Sequence, residues 1–359
     1  MKLFKNIALS ILICTTIIII GCCSFYNYQI SAINKTKTNI EIEIPANTSV
    51  KQIATILKTN HLIRDERMFL VYAKLMNKSN LKAGYYDLND TMSVKEIVKT
   101  LEEGSLKNPN EISITFKEGI TMRDIATLIS NNTSNSYDDV LNKANDTTYI
   151  NSLIEKYWFI TNDILNNEIY YKLEGYLFPD TYRFNDKDVS VEEIYNKMLD
   201  EMAKTLEPFK ADIQKSSLSM HQLLTLASMV EKEAAKEADR SGVASVFINR
   251  IKLKMSLGSD VTTRYALKID NPKQALSKQQ YLIKSPYNTR LTDGSMNGKL
   301  PVGPISTVSL SSIKASIYPD DTDYIYFIAN IKTLETFFFN KSSDFEKKKA
   351  ELSKVNGGL

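Results

Sequence analysis

Cysteine is almost absent from this chain, and the few cysteines are placed unevenly. The sequence contains 3 cysteines, Cys14, Cys22 and Cys23, and all of them lie in or beside an apolar N-terminal stretch. An exported form would therefore contain no disulfide bond, and its fold would depend on a hydrophobic core. With 359 residues, of which 43% are hydrophobic, the chain is long enough to build such a core.

Histidine is equally scarce, which restricts the catalytic chemistry that the chain can perform. His61 and His221 are the only 2 histidines, and neither lies in an HExxH motif or accompanies a GxSxG motif. A CxxC pair and a glycine-rich phosphate loop are also missing. These absences argue against metal-dependent chemistry and against a serine hydrolase, and no cofactor is expected. His221 lies in the first turn of a predicted helix and is expected at the surface.

An excess of charge of one sign is missing as well. The sequence has 45 Lys and Arg against 42 Asp and Glu, which gives a net charge of +3. A dedicated nucleic-acid-binding protein carries a larger basic excess, so nucleic acid is not an expected partner.

The N-terminal residues 1–30 have the pattern of a membrane anchor. Ile7 to Cys23 contains no charged residue and follows Lys2 and Lys5. Extended by two residues, this stretch is long enough to cross a bilayer. The preceding positive charge predicts a cytoplasmic N-terminus, with the rest of the chain outside the plasma (inner) membrane. A cleaved signal peptide is the alternative, and a lipoprotein site at Gly21-Cys22 is disfavoured because a bulky isoleucine precedes it.

A small α/β module is predicted over residues 40–104, after a polar linker at 31–39. The segment Ile40–Ile44 alternates apolar and charged residues as a strand does, and Ser49 is placed to cap a helix. A second helix, a returning strand and a last helix ending near Gly104 follow. The order of strand, helix, helix and strand is similar to a LysM-like module.

The remaining residues, 105–359, are predicted to form a mixed helix and strand catalytic domain, which makes the whole chain α+β. The pattern restarts with a strand and a helix capped by Thr121. A helical insert is expected at about 136–213 and the catalytic core at about 219–359.

The most informative segment, Leu223–Arg250, reads LLTLASMVEKEAAKEADRSGVASVFINR. Ser219 stands three residues before Gln222, which is the spacing of a capping box at the start of a helix. Apolar residues then recur at the spacing of one helical face, and the helix is predicted to end near Ala238.

Two glutamates of this helix are candidates for acid chemistry. Glu231 and Glu233 project about 160° apart, so only one of them can point into a given cleft. Burial at the edge of an apolar stripe raises the pKa of a carboxyl, which suits a general acid near neutral pH. The alternative is that both are surface charges of an alanine-rich helix.

The blocks LASMVEKEAA and RSGVASVFINR resemble the catalytic core of the endolytic murein transglycosylases, the MltG/YceG-like family. The resemblance covers nearly the whole chain, because four other blocks stand in the family's order: EGYLFPDTYRF at Glu174–Phe184, SPYNTR at Ser285–Arg290, LPVGPI at Leu300–Ile305 and DYIYFIA at Asp323–Ala329. It implies a membrane-anchored lytic transglycosylase that cleaves the MurNAc–GlcNAc bond of nascent glycan strands and limits their length. The implied partners are peptidoglycan strands, the plasma membrane and cell-wall synthases.

The resemblance also implies which residues act. The second glutamate of the EKE triplet, Glu233, would protonate the leaving oxygen and then deprotonate the C6 hydroxyl of the muramic acid, which closes a 1,6-anhydro ring. Asp260, Thr262, Tyr287 and Asn288 match later motifs and are candidate substrate-binding residues.

Each of these assignments has an alternative. Asp260 could instead cap a helix or turn, and Asn288 could stabilise the loop after Pro286 instead of binding the N-acetyl group or orienting the glutamate. The chain also departs from the family pattern, because Gly258 and Val261 stand where a glutamine and a proline are common. Two other functions stay open: a non-catalytic peptidoglycan-binding scaffold with a degenerate site, and a hydrolytic muramidase that uses Glu233 together with Asp260.

Overall fold

The chain divides into two compact units, residues 1–111 and 112–359, in the computed structural model. The structure describes residues 2–34, 37–104, 108, 110–271, 274–353 and 355. The described residues form helices and three two-stranded antiparallel sheets, so the α+β prediction is confirmed. Residues 35 and 36 of the predicted linker, and residues 105–107 at the predicted boundary, lie outside the described residues.

The first unit begins with a long apolar helix, α1 (Lys2–Ile30). Its segment Ile11–Ile30 has 20 residues and is apolar enough to cross a membrane, and none of it is buried in the protein. At 1.5 Å per residue, such a helix matches the roughly 30 Å of a bilayer's hydrocarbon core. The helix is consistent with the predicted anchor and with a signal sequence.

A small α/β module follows α1. Its elements are β1 (Asn39–Ile44), α2 (Val50–Thr59), α3 (Glu66–Leu75), β2 (Gly84–Asn89) and α4 (Val94–Glu103). The strands pair antiparallel with Ile42 opposite Tyr86, which turns both side chains into the core under the helices. Ser49 caps α2 through a capping box, and α4 ends at Gly104. The predicted order of elements is confirmed, whereas the likeness to a LysM module stays a prediction.

The second unit holds the remaining elements. In chain order they are β3 (Ile112–Thr115), α5 (Met122–Asn132), α6 (Tyr137–Lys143), α7 (Thr147–Lys156), β4 (Thr181–Phe184), α8 (Val191–Leu206), α9 (Lys210–Lys215), α10 (Met220–Glu233), α11 (Arg240–Lys252), α12 (Asp260–Ala266), α13 (Lys278–Tyr281), α14 (Leu310–Ile317), β5 (Tyr326–Ala329), β6 (Thr336–Phe339) and α15 (Ser342–Leu352). Strand β3 pairs with β4 and β5 pairs with β6, both antiparallel.

Helix α10 lies at the centre of this unit. Of its 14 residues, 10 are buried. Leu223 and Ala227 pack into one hydrophobic cluster, and Leu226 and Met229 pack into another. A helix that is apolar on most of its circumference is a core helix, so surrounding elements fix the positions of both its ends.

Two expectations about α10 were wrong. The helix ends at Glu233 rather than near Ala238, because Ala234 adopts an extended conformation with φ −72° and ψ 122°. His221 is buried, with 6% exposure, rather than at the surface. Its Nδ1 lies 2.7 Å from the Tyr176 hydroxyl and its Nε2 lies 2.9 Å from the Val302 carbonyl oxygen. Both partners of His221 are distant in sequence. The position of His221 in the first turn of the helix therefore gave a wrong prediction of its exposure.

The β5–β6 hairpin rests directly on α11. The ring of Phe338 lies over Gly242, where a Cβ atom would stand 2.7 Å from the ring's Cζ. Arg250, near the end of α11, donates from Nε to the carbonyl oxygen of Ile325 at 2.6 Å, just before β5. The contact between Phe338 and Gly242 therefore sets the distance between the hairpin and α11.

Candidate active site

Glu231 is a buried structural carboxylate. Its side chain is 5% exposed, and its Oε1 accepts from Nη2 of Arg240 at 2.8 Å. Its Oε2 accepts from the backbone N–H of Ser309 at 3.0 Å and from the Ser309 hydroxyl at 2.5 Å. Since Arg240 begins α11 and Ser309 caps α14, Glu231 ties both helices to α10. It is not one of the surface charges that the alternative interpretation required.

Glu233 is the last residue of α10 and faces a different set of residues. Its Oε1 accepts a hydrogen bond from the Ser259 hydroxyl at 2.5 Å. Within the described part of the chain, no hydrogen bond is found for Oε2. The residue is only partly buried, so a ligand can approach it. One carboxylate oxygen is thus held by the protein and the other is left for a reactant.

The surroundings of Glu233 favour its protonated form. Burial raises the pKa of its carboxyl above the usual range, and the nearby Asp260 carboxylate adds to the rise. The hydrogen bond from Ser259 and the charges of Arg290 and Arg250 oppose it. A carboxyl with a raised pKa that remains accessible has the properties of a general acid near neutral pH.

Ser259 is held in place by a buried network of hydroxyl groups. Its backbone N–H donates to Oγ1 of Thr289 at 3.1 Å, and its carbonyl accepts from Oγ1 of Thr262 at 2.8 Å. Thr262 and Thr289 are themselves linked at 2.8 Å, and both are fully buried. Thr262 therefore lies behind Ser259, the hydrogen-bond partner of Glu233. There it fixes the start of α12 against the Tyr287–Arg290 loop.

Tyr287 and Asn288 are both fully buried beneath the site. Tyr287 packs between Tyr170 and Tyr265, with ring centroids 4.7 Å and 4.8 Å away. The Asn288 amide donates to the carbonyls of Tyr281 and Ile283, each at 2.9 Å. Its Oδ1 accepts from the Thr263 hydroxyl at 2.7 Å and from the backbone N–H of Arg290 at 3.1 Å. These contacts match the loop-stabilising alternative for Asn288 and leave its amide engaged by the protein.

Asp260 is the first residue of α12, whereas the cap position belongs to Ser259. Its Oδ1 pairs with Nη1 of Arg290 at 2.5 Å, and its Oδ2 accepts from the Tyr281 hydroxyl at 3.1 Å. Each carboxylate oxygen therefore has one protein partner. Asp260 acts on Glu233 through its charge, which raises the pKa of the glutamate.

Gly258, where the family pattern commonly has a glutamine, adopts a left-handed conformation with φ +63°. Its carbonyl oxygen accepts from Nη1 of Arg290 at 2.9 Å. Nη1 of Arg250 lies 3.3 Å from where a Cβ atom would stand, and it donates to the Leu257 carbonyl at 2.9 Å. Two arginines thus support the segment that carries Ser259.

A second buried carboxylate, Glu174, lies in the EGYLF block. It is 1% exposed, and its two oxygens accept from the backbone N–H of Met122, each at 3.0 Å. Oε2 also accepts from the Tyr265 hydroxyl at 2.8 Å. Burial raises the pKa of Glu174 to about 7, opposed by these hydrogen bonds and by Arg123. Glu174 joins the first turn of α5 to α12.

The sequence had singled out Glu233, Asp260 and Thr262, and the structure brings all three to the junction of α10 and α12. It missed Ser259 and the arginines Arg250 and Arg290. The only available signal for Ser259 was its place between Gly258 and Asp260 in the resembling motif. Among the described residues, no group of three or more His, Cys, Asp or Glu side chains could hold a metal ion.

Comparisons with known proteins give a consistent result. Residues 42–351 match the model of the YceG-like family. The chain is 40% identical over 295 residues to a protein of Bacillus subtilis (strain 168) named endolytic murein transglycosylase, covering 82% of this chain and 79% of that protein. A protein of the same name from Streptococcus pneumoniae serotype 2 is 32% identical over 329 residues. The aligned region covers 88% of this chain and 59% of that relative. A crystal structure of a putative yceG-like protein from Listeria monocytogenes is 37% identical, with a TM-score of 0.61, and covers 88% of this chain and 100% of that one.

Proposed function

The chain belongs to the YceG-like family, and from this premise we propose that it is an endolytic peptidoglycan lytic transglycosylase with Glu233 as its catalytic residue. The observation that carries the proposal is the arrangement of the Glu233 carboxyl. Ser259 holds Oε1 at 2.5 Å, which leaves Oε2 as the position of the transferable proton. The relatives named endolytic murein transglycosylase supply the substrate class, the glycan strands of peptidoglycan.

In the proposed reaction, Glu233 acts twice. Its proton passes from Oε2 to the glycosidic oxygen as the bond to C1 of the muramic acid breaks. The resulting carboxylate then takes the proton of the C6 hydroxyl, and O6 forms a new bond to C1. The products are a free 4-hydroxyl on the leaving sugar and a 1,6-anhydro ring. Because no water is consumed, the reaction needs no second carboxylate as base or nucleophile.

The other site residues act through Glu233 in this proposal. Asp260 raises the pKa of the glutamate, which keeps its carboxyl protonated closer to neutral pH. Thr262, Tyr287 and Asn288 hold the α12 and loop framework on which Ser259 is mounted. We assign them as positioning residues, whose polar atoms already have protein partners.

The mass of the products tests the reaction. We expect peptidoglycan strands digested by the full chain to gain 1,6-anhydro-muramic ends and no new reducing ends. Asp260→Asn should lower the rate at pH 7 about tenfold without changing the product, because removal of the carboxylate lowers the pKa of Glu233. The alkaline limb of the pH–rate profile should accordingly move to lower pH. Mainly reducing ends would instead indicate a hydrolytic muramidase, and intact strands would indicate a scaffold.

For the first unit, we propose a single-pass anchor with a cytoplasmic N-terminus and a LysM-like module that binds glycan strands. A truncated chain beginning at Asn110 should still cleave soluble strands, because Glu233 and all its partners lie in the second unit. It should lose at least about tenfold in affinity for intact sacculi, measured by co-sedimentation. Equal binding with and without residues 40–104 would contradict the role of the module.

A further inference from the structure

Helix α1 is fixed to the α/β module of the first unit by its last turns. Tyr26 and Ile30 are partly buried and pack against the hydrophobic cluster of the module. On the other side of the helix, Phe25 and Tyr28 are each 58% exposed. The guanidinium group of Arg64 lies 4.5 Å from the centre of the Tyr28 ring. The proposed anchor therefore continues into the module through a packed contact.

The contacts between α1 and α3 show that the two helices run in opposite directions. Nη2 of Arg64, just before α3, donates to the carbonyl oxygens of Ala32 and Ile33, just after α1, at 2.6 Å and 3.0 Å. Further back in α1, Tyr26 lies within electrostatic range of Tyr72, which is in the second half of α3. Since the later residue of α3 lies near the earlier residue of α1, the C-terminal end of α3 points towards the apolar part of α1.

The aromatic residues of α1 mark the level at which the proposed anchor leaves the bilayer. The chain has no charged residue from Ile7 to Tyr28, and the aromatic residues Phe25, Tyr26 and Tyr28 end this stretch. Tyrosine is enriched at the level of the lipid headgroups. Because Tyr72 lies near Tyr26, the residues that follow Tyr72 in α3 extend from that level towards the bilayer.

This end of α3 has exposed apolar side chains. Val71 is 40% exposed, Leu75 is 68% exposed and Met76, which follows the helix, is 52% exposed. Val71 and Leu75 are four positions apart, so they project within about 40° of each other. Tyr72 is buried in the module, so the exposed residues lie at the edge of its core. Neighbouring exposed apolar residues of this kind indicate an interaction surface.

Lysines lie next to these apolar residues. The segment 74–84 contains three lysines and no acidic residue. Lys74 is exposed, and Lys78 pairs with Glu102 at 2.9 Å. A long lysine side chain can pack its stem along apolar surface while its ammonium group stays among polar groups. Apolar side chains bordered by lysines have the composition of helices that lie in a membrane interface.

Building on the proposed anchor, we propose that the end of α3, Val71–Met76, inserts into the headgroup region of the same bilayer and holds the module against the membrane surface. Lipid is the occupant of this surface because α1 brings α3 to the bilayer and directs its apolar end towards it. The module is then attached at two points, α1 and the end of α3. It cannot turn freely about a single helix.

Spin labels that report depth in the bilayer test the proposal. The full chain is reconstituted in vesicles of phosphatidylcholine and phosphatidylglycerol, with one labelled cysteine per variant and the other native cysteines replaced by serine. A label at Leu75→Cys should collide more with dissolved oxygen than with a water-soluble nickel chelate, as expected at a depth of roughly 5–10 Å. An aqueous pattern at this position would overturn the proposal.

Lys95→Cys is the matched control in the same module. Lys95 is exposed and lies five positions after Asp90, whose carbonyl oxygen accepts from the backbone N–H of Ile33 at 3.0 Å. Ile33 follows the end of α1 on the side away from its apolar part, so a label at Lys95→Cys should collide mainly with the nickel chelate. Equal patterns for Leu75→Cys and Lys95→Cys would contradict insertion of α3.

A label on the native Cys14 separates this proposal from the proposed anchor. Cys14 lies within the apolar part of α1 and should show the greatest depth. A deep label at Cys14 with an aqueous label at Leu75→Cys would leave the anchor standing and overturn the insertion of α3. An aqueous label at Cys14 would overturn both. Cleavage of glycan strands by the same vesicles reports on Glu233 independently of either result.

Acidic substitutions test the apolar side chains themselves. With the label at Ser79→Cys, just beyond α3, Leu75→Asp combined with Met76→Asp should raise the collision rate with the nickel chelate to that of the aqueous control. Leu253→Asp combined with Leu282→Asp changes two leucines of the second unit that are 59% and 55% exposed, and it should leave the depth of the label unchanged. Equal collision rates in the two double variants would overturn the proposal.

Discussion

Glu233→Gln is expected to reduce the cleavage of glycan strands by at least about 10³-fold while leaving the chain folded. The amide keeps the shape of the side chain and can still accept from Ser259 at the position of Oε1. It has no titratable proton, which the proposed reaction needs in both steps, and general acid–base catalysis contributes about 10²–10⁴-fold. Release of anhydro-ended fragments, followed by mass spectrometry, measures the loss. The melting temperature should be unchanged or higher, because no carboxyl then has to be buried.

Glu231→Gln is the matched control, two residues away on the same helix. It should leave kcat within about threefold of the unaltered chain, because Glu231 faces Arg240 and Ser309 rather than Ser259. It should lower stability by about 3 kcal/mol, since removal of one partner from a buried ion pair leaves the other charge uncompensated. Loss of activity in this variant, with activity retained in Glu233→Gln, would reverse the assignment within the EKE triplet.

The stability of the chain is expected to fall as pH rises from 5 to 8, with Glu174 as a principal cause. Burial raises the pKa of this carboxyl from 4.5 to about 7. Between those values the folded chain holds a proton that the unfolded chain has lost. The contribution of this proton to the free energy of unfolding is therefore fully present below pH 4.5 and is lost as pH rises through about 7. The shift in the pKa of Glu174 corresponds to about 3 kcal/mol in the free energy of unfolding.

Urea unfolding of the full chain at several pH values measures this effect. Glu174→Gln should flatten the dependence, because the amide keeps an acceptor for Met122 and does not titrate. Glu233→Gln should flatten it further, since the pKa of Glu233 is also raised. The exposed Glu168 offers a control, and Glu168→Gln should leave the slope as it is. An unaltered slope in Glu174→Gln would show that its carboxyl is ionised in the folded chain at pH 5.

The start of α10 was predictable because its determinants are local. The capping box of Ser219 and Gln222 depends on residues three positions apart, and the structure has both of its hydrogen bonds. The opposite projection of Glu231 and Glu233 likewise follows from helical geometry alone. The choice between the two glutamates did not follow from geometry, and it came from the resemblance to a family.

The end of α10 and the partners of its side chains were not predictable because they depend on distant segments. Alanine favours helix, so Ala234 and Ala235 led to a predicted end near Ala238, five residues beyond the observed end at Glu233. The Glu231 carboxylate is bound by Ser309, 78 residues further along the chain. Ser259 lies 26 residues from Glu233, in a segment without strong periodicity. No pattern within a single helix contains such contacts.

Gly242 shows how a residue remote from Glu233 constrains the sequence around it. Helix propensity alone favours alanine over glycine at this position by about 1 kcal/mol. An added methyl group would nevertheless meet the Phe338 ring and push the β5–β6 hairpin outward. The hairpin holds Arg250 through Ile325, and Arg250 in turn supports the Leu257 carbonyl just before Ser259. A stabilising design that filled this helix with alanine would thus loosen the reactive end of α10, so position 242 limits how far the helix can be optimised.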